Sequence, residues 1–403
     1  MDWKTRYPQY RELFRGQRFP LAFVDLERFD RNIDYVAQTQ AGTGKAIRVA
    51  SKSIRCPDLL RRIFHRGGKA FQGILAYTVE EAAFLLDQGF DDIVVAYPSV
   101  QSSDLEILAH RVRQGADISL MADSLDQLER IHLFGEACDT ILPVCLDMDM
   151  SWRPLGGIHL GVRRSPLRRP DQILALADAL SQLSHVRLHG LMGYEAQVAS
   201  VNDAVPGQGV KNALMRWIKA RSGKELARRR GAMVRALKDK GFDLKLVNGG
   251  GSGSLRSTGQ DDSVTEVTAG SAFFAPGLFW HFKEVAFDPA AFFALQVARI
   301  PAPGLITCQG GGYTASGEAG TSRLPRPVMP PGLSYLPLEG AGEVQTPLAL
   351  PKGHPGLDMG EPVFFQHAKA GELCEHFNEI QLIHSGKITG RATTYRGHGK
   401  AFL

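Results

Sequence analysis

Lys52 ends the stretch Ala46-Ile47-Arg48-Val49-Ala50-Ser51-Lys52-Ser53, a β-branched run of the kind that buries as a strand, on an amine flanked by two serines. An amine held at a strand end can attack a carbonyl carbon. Far along the chain a second strand-like run, Leu244-Lys245-Leu246-Val247, opens into Asn248-Gly249-Gly250-Gly251-Ser252-Gly253-Ser254. Backbone of that composition can turn successive N–H groups toward one point and wrap an anionic phosphate. Taken singly, a strand-end lysine is usually solvated and a glycine-rich loop is usually a turn. Together they are the two handles by which a protein would hold pyridoxal phosphate.

The elements that must position these residues read as an alternating series. Strand candidates are Leu21 to Asp25, Ala46 to Ser51, Ala70 to Ala76, Asp92 to Tyr97, Asp117 to Met121, Thr140 to Asp147, Val186 to Tyr194 and Leu244 to Asn248. Between them lie stretches with apolar residues at three- and four-residue spacing, such as Pro57 to His65, Val79 to Gln88, Leu105 to Gln114, Leu125 to Phe134 and Ile173 to Leu183. Pro57 suits a first helical turn and Ser124 a cap, while Lys211 to Lys240 reads as one long or broken helix ending at Gly241. Eight strands alternating with helices predict a closed (β/α)8 barrel over residues 1–285. Beyond it glycine and proline become dense and short β-like runs replace helices, which predicts a C-terminal β domain over 286–403. Such barrels carry their sites at the carboxyl ends of the strands, where both Lys52 and the glycine-rich loop fall.

Composition narrows the setting. Apolar residues make up 44% and charged ones 22% of the 403, an ordinary globular balance. The net charge of +5 and the helical setting of Arg228-Arg229-Arg230 give no nucleic-acid footprint. Five cysteines without a CxxC spacing suit a reducing cytoplasm. The start of the chain, Met1-Asp2-Trp3-Lys4-Thr5-Arg6, lacks the apolar core of a leader, and no run of about eighteen apolar residues appears, so a soluble protein without a membrane partner is expected.

In order along nearly the whole chain, these segments resemble the fold type III pyridoxal phosphate enzymes, the group of alanine racemase, and within it the branch of D-threonine aldolase and D-serine dehydratase. Arg48-Val49-Ala50-Ser51-Lys52 is similar to the family's Arg-Pro-His-x-Lys block, departing at Val49 and Ala50. The resemblance implies that Lys52 forms the internal aldimine. Gly193-Tyr194-Glu195 matches a Gly-x-Tyr-x-Gly-His segment of the family with its last two residues replaced by Ala196 and Gln197, and the resemblance marks Tyr194 as a catalytic and cofactor-binding residue. Gly249, Gly250, Gly251, Ser252, Gly253 and Ser254 match the Gly-Gly-Gly-Thr-Gly phosphate loop, and Thr265 to Ser271 resembles the block before the barrel closes. Asp147 to Arg153 is similar to an Asp-x-Gly-x-x-Arg segment whose arginine meets the pyridine nitrogen; this selects Arg153, with Arg163 next in line. An arginine there keeps its proton, leaving the ring nitrogen unprotonated and the ring a weaker electron sink.

The same branch binds a divalent metal, zinc or manganese, through a His-x-Cys or His-x-Asp pair in its C-terminal domain. Here the corresponding stretch, His367 to Asn378, offers His367 in one register and Cys374 in the other, with neither register keeping the pair. His367 and Cys374 are thus the candidate metal ligands, against the bland alternative of a polar contact and a packed thiol. The resemblance implies a lyase for a small D-β-hydroxy amino acid, by dehydration or by retro-aldol cleavage, in a homodimer. A racemase is the alternative on the same scaffold; it needs a second base, a C-terminal tyrosine in alanine racemase, and Tyr313 and Tyr335 are the tyrosines between residues 285 and 394. A non-catalytic protein that handles the vitamin resembles the barrel alone, and the 118 residues after position 285 (403 minus 285) speak against it.

Overall fold

Short apolar runs buried on both faces are what a parallel sheet wrapped in helices requires, and the computed structural model, which describes residues 3–403, folds them so. Met1 and Asp2, part of the segment read for a leader, lie outside the described residues. The first strand, β1 (Leu21–Asp25), precedes eight parallel strands that close a barrel. These are β2 (Ala46–Ala50), β3 (Phe71–Ala76), β4 (Ile93–Val95), β5 (Ile118–Ala122), β6 (Leu142–Asp147), β7 (Val186–Gly193), β8 (Leu246–Gly249) and β9 (Glu266–Ala269). Closure is made by β9 on β2, with Ala46 opposite Glu266 and Val49 opposite Ala269. The helices between them start where their residues dictate: Pro57 occupies the first turn of Pro57–Gly67, and the Ser124 side chain accepts the Gln127 N–H at 3.4 Å. The long helix runs from Gly209 to Asp239.

A second sheet carries β10 (Ala291–Ala302), β11 (Leu305–Gln309), β12 (Arg326–Met329), β13 (Ser334–Tyr335), β14 (Gln345–Ala349), β15 (Pro362–Gln366), β16 (Glu379–His384) and β17 (Lys387–Thr393). It also takes β1. That strand was expected in the barrel, and instead pairs antiparallel with β10 and parallel with β16. Its core side chains, Phe23 with Phe292 and Phe364, belong to an aromatic cluster on the second sheet. The eighth place in the barrel goes to β9, whose Glu266 and Thr268 are polar yet buried.

Those polar residues are held by partners inside the barrel. Arg48, 2% exposed, pairs with Glu266 at 2.6 Å and Asp92 at 2.9 Å, while Asn248 donates to Glu266 at 2.8 Å and accepts from Thr268 at 3.0 Å. A buried charge persists only when so paired. The network stiffens β2, β8 and β9, the strands whose ends carry the lysine and the glycine-rich loop.

Candidate active site

At the carboxyl ends of the barrel strands lies an open cavity of about 180 Å³. Lys52 reaches it from the 3-10 turn Ser51–Ser53 that follows β2, Tyr97 from beyond β4, Tyr194 from beyond β7, and Gly250 to Ser252 from beyond β8. The Lys52 Nζ lies 3.0 Å from the Tyr97 hydroxyl and donates to it. Above the same ring stands Arg164, its guanidinium carbon 5.2 Å from the Tyr97 centroid and 5.0 Å from that of Tyr194. Burial pushes the Tyr97 phenol up, but the charges of Lys52 and Arg164 outweigh it and hold the group below its ordinary value. The Tyr194 hydroxyl shares a 2.6 Å hydrogen bond with Ser200.

The glycine-rich loop divides by role. Gly250, at φ +73°, turns the chain, and a Cβ there would come within 2.8 Å of the Thr258 hydroxyl. Gly251 lines the cavity where a Cβ would stand 3.1 Å from Ala199 and 3.2 Å from the Tyr194 ring. Across from it Gly270 also lines the cavity, and a Cβ there would meet Ser53 at 2.8 Å. Ser252 knits the two walls by accepting the N–H groups of Gly270 at 3.2 Å and Ala272 at 3.1 Å. Gly249, Gly253 and Ser254 support this cradle from behind rather than lining it. Gly249 packs on Arg230 and Gly253 on the Ala199 carbonyl, while the Ser254 hydroxyl accepts the Gly251 N–H at 3.1 Å. Beneath them the buried Arg230 bridges Glu195 and Asp261.

The predicted arginine is elsewhere. Arg153 is held by Asp149 at 2.6 Å and Ser151 at 3.2 Å, nearly half exposed and outside the cavity wall. Asp149 lies four residues before it and captures it first. Arg163 does not line the cavity either; the guanidinium that does is Arg164. Tyr97 was missed as well, though it ends a strand candidate and the carboxyl-end rule was the signal that could have found it.

His367 and Cys374 do not come together as ligands. His367 is 3% exposed with its ring edge-on to Phe274, and no well-formed hydrogen bond reaches either ring nitrogen. Burial, partly offset by the Ala291 backbone, pulls its pKa down to about 4. The Cys374 thiol is spent on the Ile54 carbonyl at 3.1 Å, and burial holds it well above its ordinary value. Among the described residues no group of three or more His, Cys, Asp or Glu side chains converges as a metal would need. Lys369, in the place of the second ligand, donates to the Ser316 carbonyl at 2.6 Å. The donor set does not fit a metal.

It does fit pyridoxal phosphate, with an amine, a guanidinium over two aromatic rings and walls that would crowd a Cβ at Gly251 and leave no room for one at Gly270. Residues 24–276 match the family described as alanine racemase, N-terminal domain. The chain is 25% identical over 320 residues to a D-threonine aldolase of Arthrobacter sp., covering 78% of this chain and 76% of that one. A D-threo-3-hydroxyaspartate dehydratase of Delftia sp. (strain HT23) is 25% identical over 259 residues, 63% of this chain and 60% of that one. Among solved structures, D-threonine aldolase from Filomicrobium marinum superposes with a TM-score of 0.78 at 20% identity, covering 94% of this chain and 95% of its own.

Proposed function

This chain belongs to the alanine racemase N-terminal domain family, whose members use pyridoxal phosphate, and from that premise we propose that it is a lyase acting on a small D-β-hydroxy amino acid. The observation that carries the proposal is the meeting of Lys52, Tyr97 and Arg164 in one cavity with the Gly250 to Ser252 cradle. Lys52 would hold the cofactor's aldehyde carbon through Nζ, and the backbone of Gly250 and Gly251 with Ser252 would receive its phosphate. Arg164, in place of Arg153, would face the ring nitrogen, and Tyr194 would flank the ring. Pyridoxal phosphate, when bound, draws electrons away from the substrate's α carbon and weakens the bonds there.

The Lys52 nitrogen would also take or return a proton in that cavity, with the Tyr97 hydroxyl 3.0 Å away to share it. Removal of the α-proton with loss of the β-hydroxyl as water leaves an enamino acid, whose hydrolysis gives a keto acid and ammonia. Removal of the hydroxyl proton instead breaks the α to β carbon bond and gives glycine and an aldehyde. The similarity to an aldolase and to a dehydratase supports the substrate class common to both branches. Racemisation on the same scaffold would need a second base; of the C-terminal tyrosines, Tyr313 is stacked on His376 with centroids 4.3 Å apart and Tyr335 donates to the Pro325 carbonyl at 2.7 Å.

A homodimer is part of the same reading. The loop after β6 and the start of the helix after β7 stand at the site's end of the barrel, and there Leu155, Val210, Leu214 and Trp217 expose apolar surface that a second copy would cover. Five unpaired cysteines support a cytoplasmic setting, and no helix among the described residues is long and apolar enough to cross a membrane.

The test is direct. Protein mixed with pyridoxal phosphate turns yellow, and borohydride fixes the cofactor to the Lys52 peptide, read by mass spectrometry; a protein left colourless and unlabelled overturns the proposal. D-threonine and D-serine then separate the branches by their products, glycine and aldehyde against keto acid.

A further inference from the structure

The turn that presents Lys52 is held from below by groups that the reaction does not use. Ser51, fully buried, donates to the Leu75 carbonyl at 3.2 Å, and its hydroxyl helps to hold down the pKa of the Glu81 carboxyl. Glu81 is 0% exposed, in the first turn of the helix Val79–Asp87. Its other oxygen contacts are the Tyr77 N–H at 2.7 Å and the Tyr395 hydroxyl at 2.8 Å. A carboxyl buried this completely is costly unless every partner is in place.

A second route reaches the same turn. Arg55 follows it at φ +50°, left-handed backbone that a side chain other than glycine rarely adopts. Such a conformation persists only where the surroundings over-determine it, and observed strain of this kind points to a function. Arg55 donates from Nε to the Lys52 carbonyl at 3.0 Å, pairs with Glu375, and lies 5.3 Å above the Tyr77 ring, which itself lines the cavity. Its own carbonyl accepts the Tyr395 N–H at 2.9 Å. Tyr395 thus grips the turn twice, through Arg55 by its backbone and through Glu81 by its hydroxyl. Its ring is fixed edge-on against Phe84 and Phe402, each at 5.4 Å.

We propose that Tyr395, with Glu81 and Arg55, forms a positioning clamp that aims the Lys52 amine into the cavity, so that capture of pyridoxal phosphate depends on a segment more than three hundred residues away in sequence. The inference rests on the cofactor reading above and deepens it. Loss of the hydroxyl leaves the ring and its packing, so the fold survives while the turn loses its tie to Glu81.

Tyr395→Phe in the full chain is compared with wild type and with Tyr335→Phe, which removes a similar hydroxyl bond to the Pro325 carbonyl outside the cavity wall. Pyridoxal phosphate affinity is read by absorbance titration, and the rate of borohydride fixation on Lys52 by mass spectrometry. The clamp predicts affinity weakened about three- to tenfold in Tyr395→Phe, the scale of one ordinary hydrogen bond lost, with slower fixation and Tyr335→Phe unchanged. Glu81→Gln, tested beside it, shifts the same two readouts in the same direction and serves should Tyr395→Phe not fold. Affinity and fixation equal to wild type in both variants, or lost equally in Tyr335→Phe, overturn the clamp alone. A wild-type protein that takes up no cofactor overturns the cofactor reading as well.

Discussion

Arg164 and Arg153 are eleven residues apart (164 minus 153) in one loop, and only the first stands over the rings at the cavity. The difference is set by competition for charge: Asp149 takes Arg153 at 2.6 Å, while Arg164 has two aromatic faces and no carboxylate that close. Arg164→Ala is therefore expected to lower turnover about a hundredfold, the scale of a preorganised charge removed from a reacting centre, and Arg153→Ala to stay within a few-fold of wild type. Steady-state kinetics of the two variants decide it, and the reverse order would return the role to Arg153.

Glu81 also shapes how stability varies with acidity. Burial raises its pKa from 4.5 to about 7, against the pull of Ser51, Tyr77, Tyr395 and Arg55. A carboxyl raised on folding contributes stability that is present below its unfolded value of 4.5 and is lost as pH rises through about 7. His367 works the other way: lowered from 6.5 to about 4, it contributes stability present above 6.5 and lost as pH falls through about 4. The two overlap and partly cancel in wild type, so the difference between wild type and Glu81→Gln is the informative curve. Between pH 4.5 and 7 that difference should move in favour of the variant by on the order of 3 kcal/mol, measured by urea unfolding without cofactor; a flat difference would show that Glu81 does not change charge there.

At the scale of elements, the loop before β16, where the sequence reading looked for a metal pair, has a mechanical side. Gly371 sits at φ +84°, and a Cβ there would lie 2.0 Å from the Lys52 carbonyl oxygen. Nearby, Cys374 bonds the Ile54 carbonyl and Glu375 pairs with Arg55. The segment read for a metal pair thus buttresses the lysine turn. Gly371→Ala should cost about 2–4 kcal/mol, as backbone is pushed and a left-handed position is filled, and should weaken cofactor retention with it. A melting curve and cofactor content matching wild type would refute this.

Much of the barrel was legible because its strands, buried on both faces, read as plain apolar runs between periodic helices. The exceptions have physical reasons. Leu21–Asp25 is equally buried in either sheet, so its pattern could not say which one it joins. β9 escaped as a strand because Glu266 and Thr268 face a polar interior, where Arg48 and Asn248 satisfy them. Lys52 and the loop at Gly250 were readable from their places at strand ends, whereas Arg164 was not, because the irregular stretch after β6 has no periodicity to orient its side chains.

In the whole molecule the two sheets are stitched by β1, which lies between β10 and β16 and runs directly into the helix Leu26–Thr39 beside the barrel. A chain cut to residues 26–285 would lose β1 and the strands it pairs with, and also His367, whose ring stands edge-on to the fully buried Phe274. It should fail to give a cooperative thermal transition, while the full chain melts once; two separate transitions in the full chain would show the halves to be independent.

The clamp on Lys52 gives the order of events during synthesis a meaning. Polypeptide leaves the ribosome from its amino end at about 5–20 residues per second, so the barrel strands and the lysine emerge well before Tyr395. Until the stretch with Tyr395 is free to fold back, the Arg55 carbonyl lacks the Tyr395 N–H and Glu81 lacks one of its donors. A barrel that has emerged while Tyr395 has not therefore presents Lys52 from a turn tied less firmly, and the aim of the amine improves once that distant stretch has folded back.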